Sequence, residues 1–219
     1  MDNINFKRKS GIRPVVLIDV DGVCVKWQSG LPYYLSQKNI DPTKAIEMNV
    51  SEEFLSPEEI VGMDYAVAGM FIRDYNKSKF IKYLSPYNDA LVVINEMKKH
   101  WDFVALTALG TDQNTIMNRA FNLNALFPGA FKDIFVCEIG EKKDTIIEKA
   151  LEKYNERIVM FIDDVSMNID SAAKVMPTVP RYQILRGKRS KPQFDCFKCV
   201  SLHEVKHHYL AFVSEEIAA

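Results

Sequence analysis

The sequence predicts an α/β protein, a parallel sheet flanked by helices with a small helical cap inserted after the first strand. Three observations predict it. Four short apolar runs, at 15–18, 103–106, 134–136 and 158–162, are rich in Val, Ile or Phe and bounded by polar residues, as strands buried on both faces are. Segments with apolar residues at helical spacing lie between them, the alternation expected of strand–helix crossovers. That alternation stops between Trp27 and Tyr83, where no strand pattern occurs and Trp27, Tyr33, Tyr34, Phe54, Tyr65, Phe71 and Tyr75 punctuate a mostly helical periodicity. The expected organisation is a Rossmann-like core from residues 1–24 and 85–219 and a cap from 25–84.

The elements follow in order. Residues 86–99 place Leu91, Ile94 and Met97 on one helical face, with Pro86 expected in the first turn and Lys98 and Lys99 at the negative end of the dipole. Residues 112–121 offer Ile116 and Phe121 as the apolar positions of a second helix. Residues 143–154 bring Ile146, Ile147, Ala150, Leu151 and Tyr154 to one face. A short final strand is expected at 197–200, followed by Ser201-Leu202-His203-Glu204. That tetrapeptide has capping-box spacing and opens a helix with Leu202, Val205, Tyr209 and Phe212 inward.

Composition narrows the function. The chain has 219 residues, 47% of them apolar, so a full core can form. Its 28 Lys and Arg against 29 Asp and Glu leave a net charge of -1, so no global field draws it to nucleic acid or to anionic lipid, and a small polar ligand is expected. The N-terminal segment carries Lys7, Arg8 and Lys9 without the apolar stretch of a secretory signal, and no run has the length of a membrane span; a cytoplasmic protein is expected. Four scattered cysteines fit reduced thiols. Cys196, Cys199, His203, His207 and His208 would suit zinc, but the strand and capped helix account for the same segment. Arg181, Arg186, Lys188, Arg189 and Lys191 are expected to form a solvated basic loop, the alternative being a contact to substrate phosphate or a nucleic-acid end.

Chemistry concentrates at strand ends. The first strand runs into Asp19-Val20-Asp21-Gly22-Val23, two carboxylates at the sheet edge where ligands of open α/β folds bind. The second ends in Thr107, and the run 158–162 ends in Asp163-Asp164. Lys142 and Lys143 stand at a helix start between these two, and spacing does not choose between them. Asn168 and Asp170 stand at a Ser166-capped helix start, where they are either hydrogen-bond partners of the acidic site or ordinary first-turn residues, the second reading being preferred. In this order the motifs resemble the haloacid dehalogenase (HAD) superfamily, over about residues 15–173. Receiver domains combine similar groups, but with the acidic pair first in the chain.

The resemblance implies a Mg2+-dependent phosphohydrolase, with Asp19 as the nucleophile that forms an aspartyl-phosphate. It also implies a metal held by Asp19 and Asp163 with the backbone carbonyl of Asp21, and Asp164 orienting a ligand or a metal-bound water. Asp21 is placed as general acid and base, and Thr107 and Lys143 as holders of the phosphoryl oxygens beside Ala108. The resemblance favours Lys143 over Lys142, since it puts the lysine directly before the helix. The Asp-x-Asp-Gly run leading to Trp27, the helical cap, and Phe80-Ile81-Lys82-Tyr83-Leu84-Ser85-Pro86 look like the 5'(3')-deoxyribonucleotidase group. In such a cap Trp27, Tyr33, Tyr34, Phe71 and Tyr75 are either base-stacking faces or cap core. The expected substrate is thus a small phosphorylated metabolite such as a nucleoside monophosphate. The alternatives are a nucleic-acid end-processing phosphatase and a non-enzymatic phosphate-binding protein.

Overall fold

Six strands make up the sheet: β1 (Val15–Ile18), β2 (Asp102–Ala108), β3 (Phe131–Cys137), β4 (Ile158–Asp163), β5 (Arg181–Ile184) and β6 (Phe197–Cys199). Around them lie α1 (Leu31–Gln37), α2 (Thr43–Ser51), α3 (Pro57–Val61), α4 (Tyr65–Lys77), α5 (Asn88–Met97), α6 (Gln113–Leu126), α7 (Asp144–Tyr154), α8 (Ser166–Val175) and α9 (Leu202–Ala218). The computed structural model describes residues 13–218, with side chains as far as residue 211.

All strand pairs are parallel, in the order β3-β2-β1-β4-β5-β6. The chain builds outward from β1 through β2 to β3 and then returns to the other side of β1 with β4. The β1/β4 seam is therefore the point where strand order reverses, the place open α/β sheets put ligands. Alternate residues feed two apolar layers. Val16, Ile18, Phe103, Ala105 and Ile162 join the layer containing α5, α9 and the segment after β1, while Val15, Leu17, Val104, Leu106 and Phe161 pack with Ile146, Ile147, Ala150, Ile169 and Ala172 of α7 and α8. The four strands predicted from apolar runs and the short final one are present, although β3 lies at the sheet edge and is mostly half-buried rather than covered on both faces. β5 was not foreseen, because Arg-Tyr-Gln-Ile lacks an apolar run; its pairing to β4 and β6 makes it a strand.

The segment after β1 is helical, with 3-10 turns at Trp27–Gly30 and Lys79–Tyr83 around α1 to α4. It leaves and re-enters the sheet domain through paired backbone: Val25 bridges Pro86, Lys26 N–H donates to Ser85 O (2.8 Å), and Tyr87 N–H to Cys24 O (3.1 Å). Its inner residues Leu31, Tyr34, Leu35, Tyr75 and Ile81 are continuous with the apolar layer of the sheet.

Several helix details differ from expectation. Pro86 lies outside α5, which starts at Asn88, because it is held in the bridge to Val25. Lys98 follows the last turn of α5 and donates to Pro128 O and Asn95 Oδ1 (2.9 Å each). Ser166 does not cap α8; Val165 occupies that position and the Ser166 hydroxyl pairs with that of Ser190. At α9, Ser201 Oγ accepts from Glu204 N–H (3.4 Å), but the Glu204 carboxylate reaches back to Val200 N–H (2.9 Å), one residue earlier than a reciprocal box. Leu202, Val205 and Tyr209 are buried, and Phe212 lies outside the side chains described. The largest departure is α6. Ile116 is half-buried and Phe121 exposed, while the buried face consists of Thr115, Asn118, Arg119, Asn122 and Leu123.

Candidate active site

Asp19 directly follows β1, and its N–H still donates to Ile162 O (2.8 Å), which fixes it at the β1/β4 seam. The chain then turns sharply, with the N–H groups of Cys24 and Val25 both donating to Val20 O (2.8 and 2.9 Å). Gly22 enables this turn: its φ is +80°, and a Cβ there would run into the Asp164 carboxylate, so any side chain would be both strained and obstructed.

β4 delivers Asp163 and then Asp164. One oxygen from each of Asp19, Asp163 and Asp164 lies within 4.8 Å of the others, and all three residues are buried. Lys143, immediately before α7, is 1% exposed, and its Nζ lies 2.7 Å from Asp19 Oδ1 and 2.8 Å from Asp163 Oδ2. Lys142 is exposed. Asp163 Oδ1 accepts from Val165 N–H (2.9 Å) and Asn168 Nδ2 (3.1 Å), so of the two readings of Asn168 the structure selects the hydrogen bond to the site over the preferred one of an ordinary first-turn residue. Asp170 instead accepts from the backbone of Gln193 and Phe194. Asp164 Oδ2 takes a two-nitrogen contact from Arg189, Nε at 2.9 Å and Nη2 at 2.7 Å, and its Oδ1 is buried without a hydrogen-bond partner among the described residues. The hydroxyl of Thr107, near the end of β2, is likewise buried and without a partner among the described residues. Asp21 stands apart from the three-carboxylate cluster; Arg119 Nη2 contacts both of its oxygens, at 2.6 and 2.7 Å.

Three buried carboxylates face two cations, Lys143 and Arg189. Burial holds the Asp19 carboxyl well above its ordinary value despite Lys143, and Asp163, Asp164 and Asp21 push the same way. Asp164 is raised to about 6, by burial first and then by Asp163, against the pull of Arg189 and Lys143. Burial alone would lower the Lys143 ammonium, but Asp163 and Asp19 hold it above its usual range and therefore charged. Surplus negative charge, hard oxygen donors and the free Asp164 Oδ1 together suit an oxygen-preferring divalent cation.

A cavity of about 630 Å³ opens onto Asp19, Asp21, Lys143 and Asp164. Ala108, Leu109 and Ile139 line it from the sheet domain, Trp27, Phe54, Ile60 and Ile72 from the helical segment, and Gln28 and Asn76 add amides. Asn76 Oδ1 accepts from Trp27 Nε1 (2.8 Å), and its Nδ2 donates to Leu109 O (3.3 Å), joining the two walls. Of the five aromatic residues considered for stacking, Trp27 alone lines this cavity. Tyr33 is exposed, Tyr34 and Tyr75 are interior and Phe71 packs against the core, so these four belong to packing or surface. The basic loop is not simply solvated either. Arg181 donates to the carbonyls of Met176, Pro177 and Val179, and Arg186 to Gly22 O, Val23 O and Asp89, leaving Lys188 and Lys191 exposed. Gly187 (φ +62°) lies so close to Glu52 that a Cβ would strike its carbonyl, and Lys188 pairs with Glu53 (3.3 Å); the loop thereby closes against the helical segment. In the tail, His208 Nδ1 pairs with the Tyr182 hydroxyl (2.9 Å) and its ring packs on Phe197, while all four cysteines are free thiols.

Arg119 and Asn76 have no place in the sequence analysis, and Arg189 enters it only as one residue of the basic loop, without its contact to Asp164. A signal existed for the first: Thr115, Asn118, Arg119 and Asn122 form a polar stripe at helical spacing on the helix after Thr107.

No protein-family model matches the chain. It is 44% identical over 178 residues to an uncharacterized 32.4 kDa protein from the Gp30-rIII intergenic region of Enterobacteria phage T4, a match covering 81% of this chain and 63% of that protein. The chain thus spans under two thirds of the length of this relative. Among solved structures, it is similar to a predicted phosphatase from Clostridium acetobutylicum (TM-score 0.62, 19% identity, 92% of this chain and 100% of that one). A haloacid dehalogenase-like hydrolase from Streptococcus pneumoniae gives a TM-score of 0.59 at 16% identity, covering 90% and 98%. The HAD-hydrolase YfnB from Bacillus subtilis, bound to magnesium, gives 0.58 at 16%, covering 89% and 97%. The fold is that of the HAD-like hydrolases, a class whose solved members include both phosphatases and dehalogenases. Within that fold, this chain carries a buried acidic cluster at the sheet edge. No helix among the described residues is long and apolar enough to cross a membrane.

Proposed function

We propose that this protein is a Mg2+-dependent phosphomonoester hydrolase, with residues 25–84 acting as the cap over its site. The observation that carries the reading is the buried cluster of Asp19, Asp163 and Asp164 around Lys143, of which Asp19, Asp164 and Lys143 line the cavity. An Asp19 oxygen attacks phosphorus as the ester P–O bond breaks; the leaving alkoxide takes a proton from Asp21, and an aspartyl-phosphate remains on Asp19. Water then gives a proton to Asp21 and attacks phosphorus, releasing inorganic phosphate and restoring Asp19. Lys143 and the free Thr107 hydroxyl hold phosphoryl oxygens. When bound, Mg2+ would be held by Asp19, Asp163 and the Asp21 carbonyl, with Asp164 orienting a ligand, and would offset the charge of carboxylate and phosphate.

A dehalogenase also uses an aspartate nucleophile, but displacing halide from an uncharged carbon does not call for a buried three-carboxylate cluster. The cavity fits a small phosphorylated metabolite with an apolar or aromatic part, such as a nucleoside monophosphate, between Trp27 and Ile139. A nucleic-acid end is less suited, because the arginines of the basic loop are committed internally.

The test is turnover on nucleotides, sugar phosphates, 3'-phosphorylated oligonucleotides and 2-chloropropionate, with Mg2+ and with excess chelator. Nucleoside monophosphate hydrolysis that requires Mg2+ and vanishes in Asp19→Asn, with the melting temperature retained, is expected. Halide release, or phosphatase turnover undiminished by chelator, would overturn the reading.

A further inference from the structure

We propose that Arg119 is the positioning residue for Asp21, setting from α6 where the proposed acid and base stands; this rests on the phosphohydrolase reading above. The guanidinium is wholly buried, and its Nη2 bridges both oxygens of Asp21 at 2.6 and 2.7 Å, while Nε and Nη1 have no hydrogen-bond partner among the described residues. A buried arginine with two idle nitrogens is a poor device for stability alone, since an apolar residue of similar volume often does as well or better. Its one contact falls on a carboxylate that is 24% exposed and lines the cavity. The shared Nη2 contact tethers Asp21 outside the Asp19, Asp163 and Asp164 cluster, at the wall of the cavity.

The tether has a firm base. One residue before Arg119, Asn118 donates to Lys77 O and Ser78 O (3.2 and 3.0 Å), and one turn on, Asn122 donates to Lys82 O and Leu84 O (3.2 and 3.1 Å). These carbonyls belong to the returning end of the helical segment. The seat of that segment and the position of Asp21 are thereby set by the same face of α6. Sub-ångström placement of a proton-transfer group affects the rate of the transfer more than it affects binding.

The experiment is a double-mutant cycle on the full chain with saturating Mg2+, using Arg119→Met, Arg119→Lys, Asp21→Asn and the two double variants. Each is assayed on an alkyl phosphate and on p-nitrophenyl phosphate, and melting temperatures are recorded. General acid–base catalysis is typically worth about 10²–10⁴-fold, so Arg119→Met should lower kcat on the alkyl ester by roughly 10- to 10³-fold with KM little changed. Single-turnover phosphorylation by the aryl ester, whose leaving group needs no proton, should fall by under about fivefold. Arg119→Met in the Asp21→Asn background should add less than about threefold, and Arg119→Lys should recover part of the loss. Parallel losses on both esters that multiply with Asp21→Asn, or Arg119→Met turning over like wild type, would overturn the proposal. Should Arg119→Met fail to fold, the Arg119→Lys cycle decides by the same criteria. Wild type without phosphatase turnover would sink the phosphohydrolase reading as well, whereas a slow Asp21→Asn beside an unimpaired Arg119→Met sinks this inference alone.

Discussion

Helices α6 and α7 each follow a strand of the same sheet and each brings a buried cation to a site carboxylate, Arg119 to Asp21 and Lys143 to Asp19 and Asp163. They are nevertheless built on opposite plans. α7 buries Ile146, Ile147, Ala150 and Tyr154 against the sheet, and α6 buries Thr115, Asn118, Arg119 and Asn122. The difference lies in what each must cover. The surface beneath α7 is the apolar face of β1, β2 and β4, which hydrophobic side chains satisfy. Beside α6 runs the end of the helical segment, whose carbonyls at Lys77, Lys82 and Leu84 would lose the amide donors of Asn118 and Asn122 to an apolar face. Burial and apolarity coincide on one helix and part on the other.

The largest expected effect is at the α7 cation. Lys143→Met should reduce kcat by about 10² or more, as loss of a charge-stabilising donor does. Without added cation it should also destabilise by about 3–5 kcal/mol, because Asp19 and Asp163 are left uncompensated. Denaturant melts and turnover measure both, and a stable, active variant would show that the cation does not matter to this end of the helix. Ile147→Ala should cost about 2–5 kcal/mol, seen as a lower urea midpoint at unchanged slope.

Added Mg2+ probes chiefly the α7 side of the contrast, since the Asp21 carboxylate that Arg119 holds lies outside the cluster. Asp164 is raised in the fold to about 6, above the ordinary range of an aspartate, so the stability it contributes is present below about pH 4 and lost as pH rises through 6. Mg2+ should therefore raise the melting temperature more at pH 7.5 than at pH 5, where it must displace a proton. At about 100 times its Kd a cation contributes about 2.7 kcal/mol. A shift independent of pH, or one unchanged in Asp163→Asn, would remove the metal from this cluster.

On α6, Asn122→Leu should destabilise by about 1–3 kcal/mol by orphaning the carbonyls of Lys82 and Leu84. A neutral or stabilising result would mean that the two helices follow one rule after all. Phe121→Ser should change stability by under about 0.5 kcal/mol, since the ring is exposed despite its apolar character.

The strands were legible because each is a short apolar run whose ends are marked by a change in polarity, and the site residues Asp19, Thr107 and Asp163 occupy those ends. α7 was legible for the related reason that its apolar stripe faces an apolar layer. β5 was not, since Gln183 is buried in it for its bonds to Asp164 O and Ser190 O rather than for hydrophobicity. The inward face of α6 was hidden by the same cause. The basic loop misled because a run of Arg and Lys reads as solvated, whereas Arg186 lies over the Tyr87 ring at 3.7 Å and pairs with Asp89, 97 residues earlier in sequence.

What the sequence by itself determined is the sheet and the carboxylates at its edge: strand period, strand ends and the turn at Gly22 are local, and a few neighbouring residues specify each. What only the tertiary structure decided is which polar groups are buried together. Lys143 rather than Lys142 meets Asp19, Arg189 rather than Lys188 meets Asp164, and Arg119 meets Asp21 across 98 residues. A buried charge is tolerated only beside its partner, and partners brought together by folding leave no periodic trace in the chain.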